Sequence, residues 1–104
     1  LEEQKKVTIE SDGLKIELDT RRASVNGEEI PLPPKEFDLL AYMAAHPGKV
    51  LTKTQLFEQV WGVDAMSDTA TVTVHVNRIR EKLALVSPVS YIETVWGTGY
   101  RFKD

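Results

Sequence analysis

The chain has 104 residues, within the range of a single domain, and its 41% hydrophobic and 28% charged residues argue against disorder. It contains no cysteine, which excludes disulfides, thiolate metal sites and cysteine nucleophiles. The formal net charge of −3 does not by itself advertise a nucleic-acid partner.

That charge is unevenly spread. Residues 1–36 carry nine acids against six bases, and residues 37–69 four acids against two bases. Residues 70–104 reverse the sign, with three acids against five bases (Arg78, Arg80, Lys82, Arg101 and Lys103). An acidic front and a basic rear suggest one face built for an anionic partner. The longest uncharged apolar stretch, Leu39 to Ala45, is too short to span a bilayer, so no membrane partner is expected. No signal-peptide pattern is present, and a chain beginning at Leu1 reads as a fragment of something longer.

Residues 1–6 lack periodicity and read as a linker remnant, leaving 7–104 as the domain. Val7-Thr8-Ile9 and Leu14 to Leu18 alternate with period two around an Asp12-Gly13 turn. Asn26-Gly27, between Ala23-Ser24-Val25 and Glu28-Glu29-Ile30, is a hairpin signal because both turn residues tolerate positive φ. The front section is therefore a small antiparallel sheet.

Helical spacing begins after Pro33-Pro34. Phe37, Leu40, Ala41 and Ala44 form a stripe that Leu39 and Met43 widen, and Pro34 suits the first helical position. His46-Pro47-Gly48 stops this helix. Thr52-Lys53-Thr54-Gln55 matches a capping box that opens a second helix, whose apolar face is Leu56, Phe57 and Val60. After an irregular loop from Gly62 to Ser67, a third helix is expected over about residues 69–84. Its core stripe is Val72, Val76, Ile79 and Leu83, and its opposite arc holds Ala70, Thr73, Val74, Asn77, Arg78 and Glu81. The last element is a hairpin over residues 90–103, turning at Trp96-Gly97-Thr98-Gly99.

No catalytic constellation stands out. The two histidines, His46 and His75, fall on different helices, and no clustered ligand spacing implies a metal or a cofactor. Gly97-Thr98-Gly99 joins strand to strand, so it is no phosphate cradle of the helix-opening kind. The third helix is more informative. Arg can pair bidentately with guanine and Asn with adenine, while Val and the Thr methyl can pack on the thymine methyl. Arg78 and Asn77 thus read as base contacts, with Thr73 and Val74 beside them. Thr71, His75, Arg80 and Lys82 on the flanks read as phosphate contacts. The plainer alternative is a solvated helix surface in which Arg78 or Arg80 pairs with Glu81 or Glu93. Trp96 with Arg101 nearby suggests a wing beside a recognition helix, the alternative being a Trp96 folded back onto the core.

These residues together resemble a known family. Four segments carry the likeness: Pro34 to Leu40; Val50 to Leu56 with Val60-Trp61-Gly62; Thr71 to Leu83; and Ile92 to Phe102. In that order and at those separations, they resemble the effector domain of OmpR/PhoB-type response regulators of bacterial two-component systems. The resemblance implies an α+β winged helix-turn-helix: a four-stranded N-terminal antiparallel sheet, a three-helix bundle and a C-terminal β-hairpin wing. It implies cytoplasmic, sequence-specific binding of double-stranded DNA, with the third helix in the major groove and the wing at the minor groove. Homodimers on tandem direct repeats, an upstream receiver domain (absent here) and RNA polymerase are the implied partners.

Carried over by position, Thr73, Val74 and Arg78 match base-facing sites, and Trp61, Thr71, His75 and Arg80 match phosphate contacts. Trp96, Thr98 and Tyr100 fall in the wing, with Arg101 following. The loop Gly62, Val63, Asp64, Ala65, Met66 and Ser67 matches the polymerase-facing segment. The chain departs from the pattern at Trp96 and Asn77, where Arg is common, at Ala70, often basic, and at Pro33, often a capping Thr. The lost positive charge predicts weaker binding by a lone domain. A protein-interaction module that docks through the same helix face and Trp96, without reading DNA, is the rival reading.

Overall fold

Alternation at the front becomes four short strands in the computed structural model, which describes residues 7–65 and 68–104. They are β1 (Thr8–Ser11), β2 (Leu14–Glu17), β3 (Arg22–Val25) and β4 (Glu28–Ile30), antiparallel and adjacent in chain order. The register sets Leu14 opposite Val25 and Ile16 opposite Ala23, so one face is wholly apolar and buried. Asn26 and Gly27 take φ of 50° and 89°, the two positive values that the two-residue turn needs. The linker expected at 1–6, and Met66 and Ser67 of the loop, lie outside the described residues.

Helix α1 (Pro34–Ala44) starts where the proline pair predicts. Pro33 precedes it without a side-chain capping bond, because its ring offers no acceptor. Phe37, Leu39, Leu40, Met43 and Ala44 are buried, and Ala41 only partly. Helix α2 (Lys53–Val60) is opened by the expected reciprocal cap: Gln55 N–H donates to Thr52 Oγ1 at 3.0 Å, and Thr52 N–H to Gln55 Oε1 at 3.4 Å.

Helix α3 (Ala70–Val86) runs two residues past the end expected at Ala84. Its last turn continues because Val86 still packs on the core, and Pro88 follows soon after. Val72, Val76, Ile79 and Leu83 are buried as their spacing predicts. Four consecutive β-branched residues, Thr71 to Val74, weaken the helix intrinsically, so this buried stripe is what holds it.

A strand that the sequence reading omits is β5 (Val50–Thr52), which joins the closing hairpin of β6 (Ile92–Val95) and β7 (Gly99–Phe102) in the order β5-β7-β6. Three residues carry too little periodicity to signal a strand, and the partner lies far along the chain. The hairpin's first strand begins at Ile92 rather than Ser90. Tyr91 is instead buried, its hydroxyl donating to the Asp12 carbonyl at 2.6 Å. Gly99 is obligatory in β7, since a Cβ there would stand 2.0 Å from the Leu51 carbonyl oxygen. The result is the winged helix-turn-helix: an antiparallel sheet, three packed helices and a hairpin beside the third.

Candidate nucleic-acid interface

The arc of α3 opposite its core stripe faces outward. Val74 is 46% exposed, Asn77 and Arg78 are exposed beside it, and Thr73 is half-buried next to the hairpin. Among the described residues Arg78 has no ion pair, neither with Glu81 nor with Glu93. Its guanidinium is therefore uncommitted.

On one flank an aromatic chain joins α2 to α3. Trp61 stacks on Phe57 with centroids 5.6 Å apart and meets the His75 ring edge-on at 4.9 Å. His75 Nδ1 lies 2.8 Å from the Thr71 carbonyl oxygen, which can only accept, so this nitrogen carries a hydrogen. Trp61, Thr71 and His75 thus form one cluster at the edge of the exposed arc.

The other flank is Arg80. Its Nη2 donates to Thr94 Oγ1 at 2.7 Å, and its guanidinium lies 5.4 Å from the centre of the Tyr100 ring. Tyr100 is only 3% exposed, so it braces the base of the wing from inside. Its hydroxyl reaches Thr73 Oγ1 at 3.5 Å. At the wing tip Thr98 N–H donates to the Val95 carbonyl at 3.0 Å, and Gly97 takes the positive φ of 79° that closes the turn. Trp96 stands 88% exposed and does not fold back onto the core.

Two expected contacts are otherwise engaged. Lys82 Nζ sits 2.7 Å from Glu36 Oε1, a carboxylate only 3% exposed on α1. A buried carboxylate left without its cation is strongly unfavourable, so Lys82 is held in the fold rather than offered to phosphate. Arg101 forks onto Glu93 across the hairpin, with Nη2 at 2.6 Å and Nε at 2.8 Å from one oxygen. Lys103 is likewise paired, with Asp12. Of the five bases in the rear segment, only Arg78 and Arg80 lack a carboxylate partner among the described residues.

One residue escaped the sequence reading. Lys53, first in α2, lines a cavity of about 580 Å³ between α3 and the wing, together with Thr73, Asn77 and Trp96. The signal was available, since a lysine directly after the Thr52 cap must sit at the start of that helix. In the loop, Gly62 ends α2 with φ of 99°, and Val63 and Asp64 are exposed. Among the described residues no cluster of three metal-ligating side chains exists, and no helix is long and apolar enough to cross a membrane.

An exposed helix arc beside a projecting hairpin defines the class: a winged-helix domain. Residues 27–102 match the family described as "Transcriptional regulatory protein, C terminal". The chain is 46% identical over 96 residues to the response regulator SaeR of Staphylococcus epidermidis, covering 91% of this chain and 42% of that protein. It is similar in structure to the response regulator DrrB of Thermotoga maritima, an OmpR/PhoB homologue. That likeness has a TM-score of 0.82 and 35% identity over 96% of this chain and 46% of that one. The Klebsiella pneumoniae RstA DNA-binding domain, solved in complex with the RstA box, gives a TM-score of 0.80 and 31% identity. There the match covers 92% of this chain and 96% of that domain. The chain belongs to the OmpR/PhoB-type family of response-regulator effector domains, which are DNA-binding domains and not enzymes. It spans about two fifths of the length of the curated relative above.

Proposed function

We propose that residues 7–104 are the sequence-reading DNA-binding domain of a two-component transcriptional response regulator. The carrying observation is the uncommitted arc of Val74, Asn77 and Arg78 on a helix whose other side is buried, with Trp96 left in water beside it. In this reading α3 enters the major groove. Arg78 pairs with guanine, Asn77 with adenine, and Val74 and Thr73 pack on thymine methyls. Trp61, Thr71, His75 and Arg80 meet the flanking phosphates and set the register.

The wing over residues 90–103 lies at the minor groove. Its Arg101 is already paired with Glu93, so its chief contribution is the Trp96 ring against sugar and bases rather than a cation. Thr98, exposed beside it, adds a hydroxyl for the backbone. The loop from Gly62 to Ser67 faces RNA polymerase. An upstream receiver domain in the same cytoplasmic protein governs pairing of two copies on tandem direct repeats, and residues 1–6 are the remnant of the linker to it.

The test is selection from randomised duplex DNA, followed by anisotropy of the best sequence against a scrambled one across a salt series. The expected result is a preferred repeat bound far more tightly than the scramble, with affinity falling steeply as salt rises. Equal weak binding to both duplexes, unaffected by Arg78→Ala, would overturn the reading.

A further inference from the structure

The wing is anchored at its root by β5 and by the contacts of Tyr91 and Lys103 with Asp12. None of these contacts reaches α3, which meets the hairpin through the shared core and through polar contacts of its own. Among the described residues, two hydrogen bonds join α3 to the hairpin: Arg80 to Thr94 at 2.7 Å, and Tyr100 to Thr73 at the longer 3.5 Å. The guanidinium also lies over the Tyr100 ring, a geometry that a planar Arg provides and a Lys does not.

Arg80 Nε is buried and, among the described residues, has no hydrogen-bond partner. A phosphate oxygen cannot reach a donor shut away in this manner. An arginine retained for charge alone would leave that N–H in water, where its hydrogen bonding costs nothing. Burial of Nε is the consequence of pressing the guanidinium between Thr94 and Tyr100.

We propose that Arg80 is a positioning residue that fastens the wing to the recognition helix, so that both approach one duplex as a unit. The proposal rests on the DNA reading above. It leaves Nη1 available for a phosphate and gives the rest of the side chain to the joint. The wing thereby inherits its orientation from α3 instead of finding the minor groove independently.

Hydroxyl-radical footprinting of this 104-residue chain on its selected duplex tests the proposal. Thr94→Val replaces the accepting hydroxyl with a methyl of similar shape. It is expected to remove protection under the wing, keep protection under α3, and weaken binding about fivefold. The dependence on salt should not change. Adding Trp96→Ala to Thr94→Val should then do little, although Trp96→Ala alone weakens binding. Arg80→Lys keeps the charge yet should reproduce Thr94→Val, with thermal melting confirming that each variant is folded. Wing protection unchanged in Thr94→Val, or Arg80→Lys behaving as wild type, would overturn the proposal. A wild type that protects no specific sequence would overturn the DNA reading itself.

Discussion

Among the described residues three hairpins are closed by glycine, β1–β2, β3–β4 and β6–β7, and the last two of these are built for different ends. In β3–β4, Asn26 and Gly27 close a two-residue turn, the inward residues Ala23, Val25 and Ile30 are buried, and Glu28 and Glu29 face water. In β6–β7, Gly97 closes a longer turn whose tip leaves Trp96 88% exposed. Backbone chemistry sets the shape of both. Their use differs in what the tip displays. The front hairpin hides its apolar surface and finishes a core, whereas the wing holds a large apolar ring in water, the ring that the proposed function sets against sugar and bases.

The largest expected effect separates the two hairpins by their glycines. Gly99→Ala would drive a Cβ into the Leu51 carbonyl and force β7 away from β5. It should cost about 3 kcal/mol of stability, read by thermal melting, and DNA binding should go with it. A wild-type melting curve for this variant would break the β5–β7 pairing described above.

Arg78→Ala comes next. It should cost about 1–3 kcal/mol in DNA binding and relax preference at a single base pair, while stability moves by less than about 0.5 kcal/mol. An equal loss on every sequence would instead make Arg78 a phosphate contact. Trp96→Ala should cost about 1–2 kcal/mol of binding and leave the salt slope alone, because the contact is apolar. Trp96→Arg should steepen that slope by about one unit. A flattened slope in Trp96→Ala would contradict the apolar role. In the front hairpin Gly27→Ala meets nothing within 4 Å but must adopt φ of +89°. It should cost about 1 kcal/mol of stability and leave DNA binding as it was.

The two hairpins also differ in how openly the sequence announced them. Asn26-Gly27 and the flanking alternation specified the first almost completely. The second was visible as a turn, yet its third strand, β5, was not, because Val50-Leu51-Thr52 is defined by a partner near the other end of the chain. The same distinction runs through the site. The buried stripe of α3 and the exposure of Val74, Asn77 and Arg78 follow from helical period and were legible. Lys82 with Glu36 was not, since the two stand 46 residues apart and meet only once α1 and α3 pack. Arg101 with Glu93 was within reach: a turn centred on Gly97 places those residues directly opposite, and counting outward from it reveals the pair. Arg80's joint with Thr94 lay beyond sequence reasoning, because it depends on the angle between a helix and a hairpin.

The smallest effect concerns the contact that ties the two halves together. Lys103, just past β7, pairs with Asp12 in the turn between β1 and β2. The hydrogen bond from its ammonium to Asp12 raises the Lys103 pKa above the ordinary 10.5, helped by the charges of Asp12 and Asp104 and outweighing the lowering by desolvation. A raised lysine contributes stability that is fully present below the unfolded value and is lost as pH rises through the folded one. The melting temperature of the wild type should therefore fall slightly faster than that of Asp12→Asn, which lacks the carboxylate, as pH rises above the ordinary lysine value of 10.5. The difference will be small, because the ammonium is open to solvent and its ion pair is screened. Added salt should shrink it further. Identical alkaline slopes in the two proteins would mean that the joint rests on the neighbouring Tyr91 hydroxyl and the Asp12 carbonyl, with the charges as bystanders.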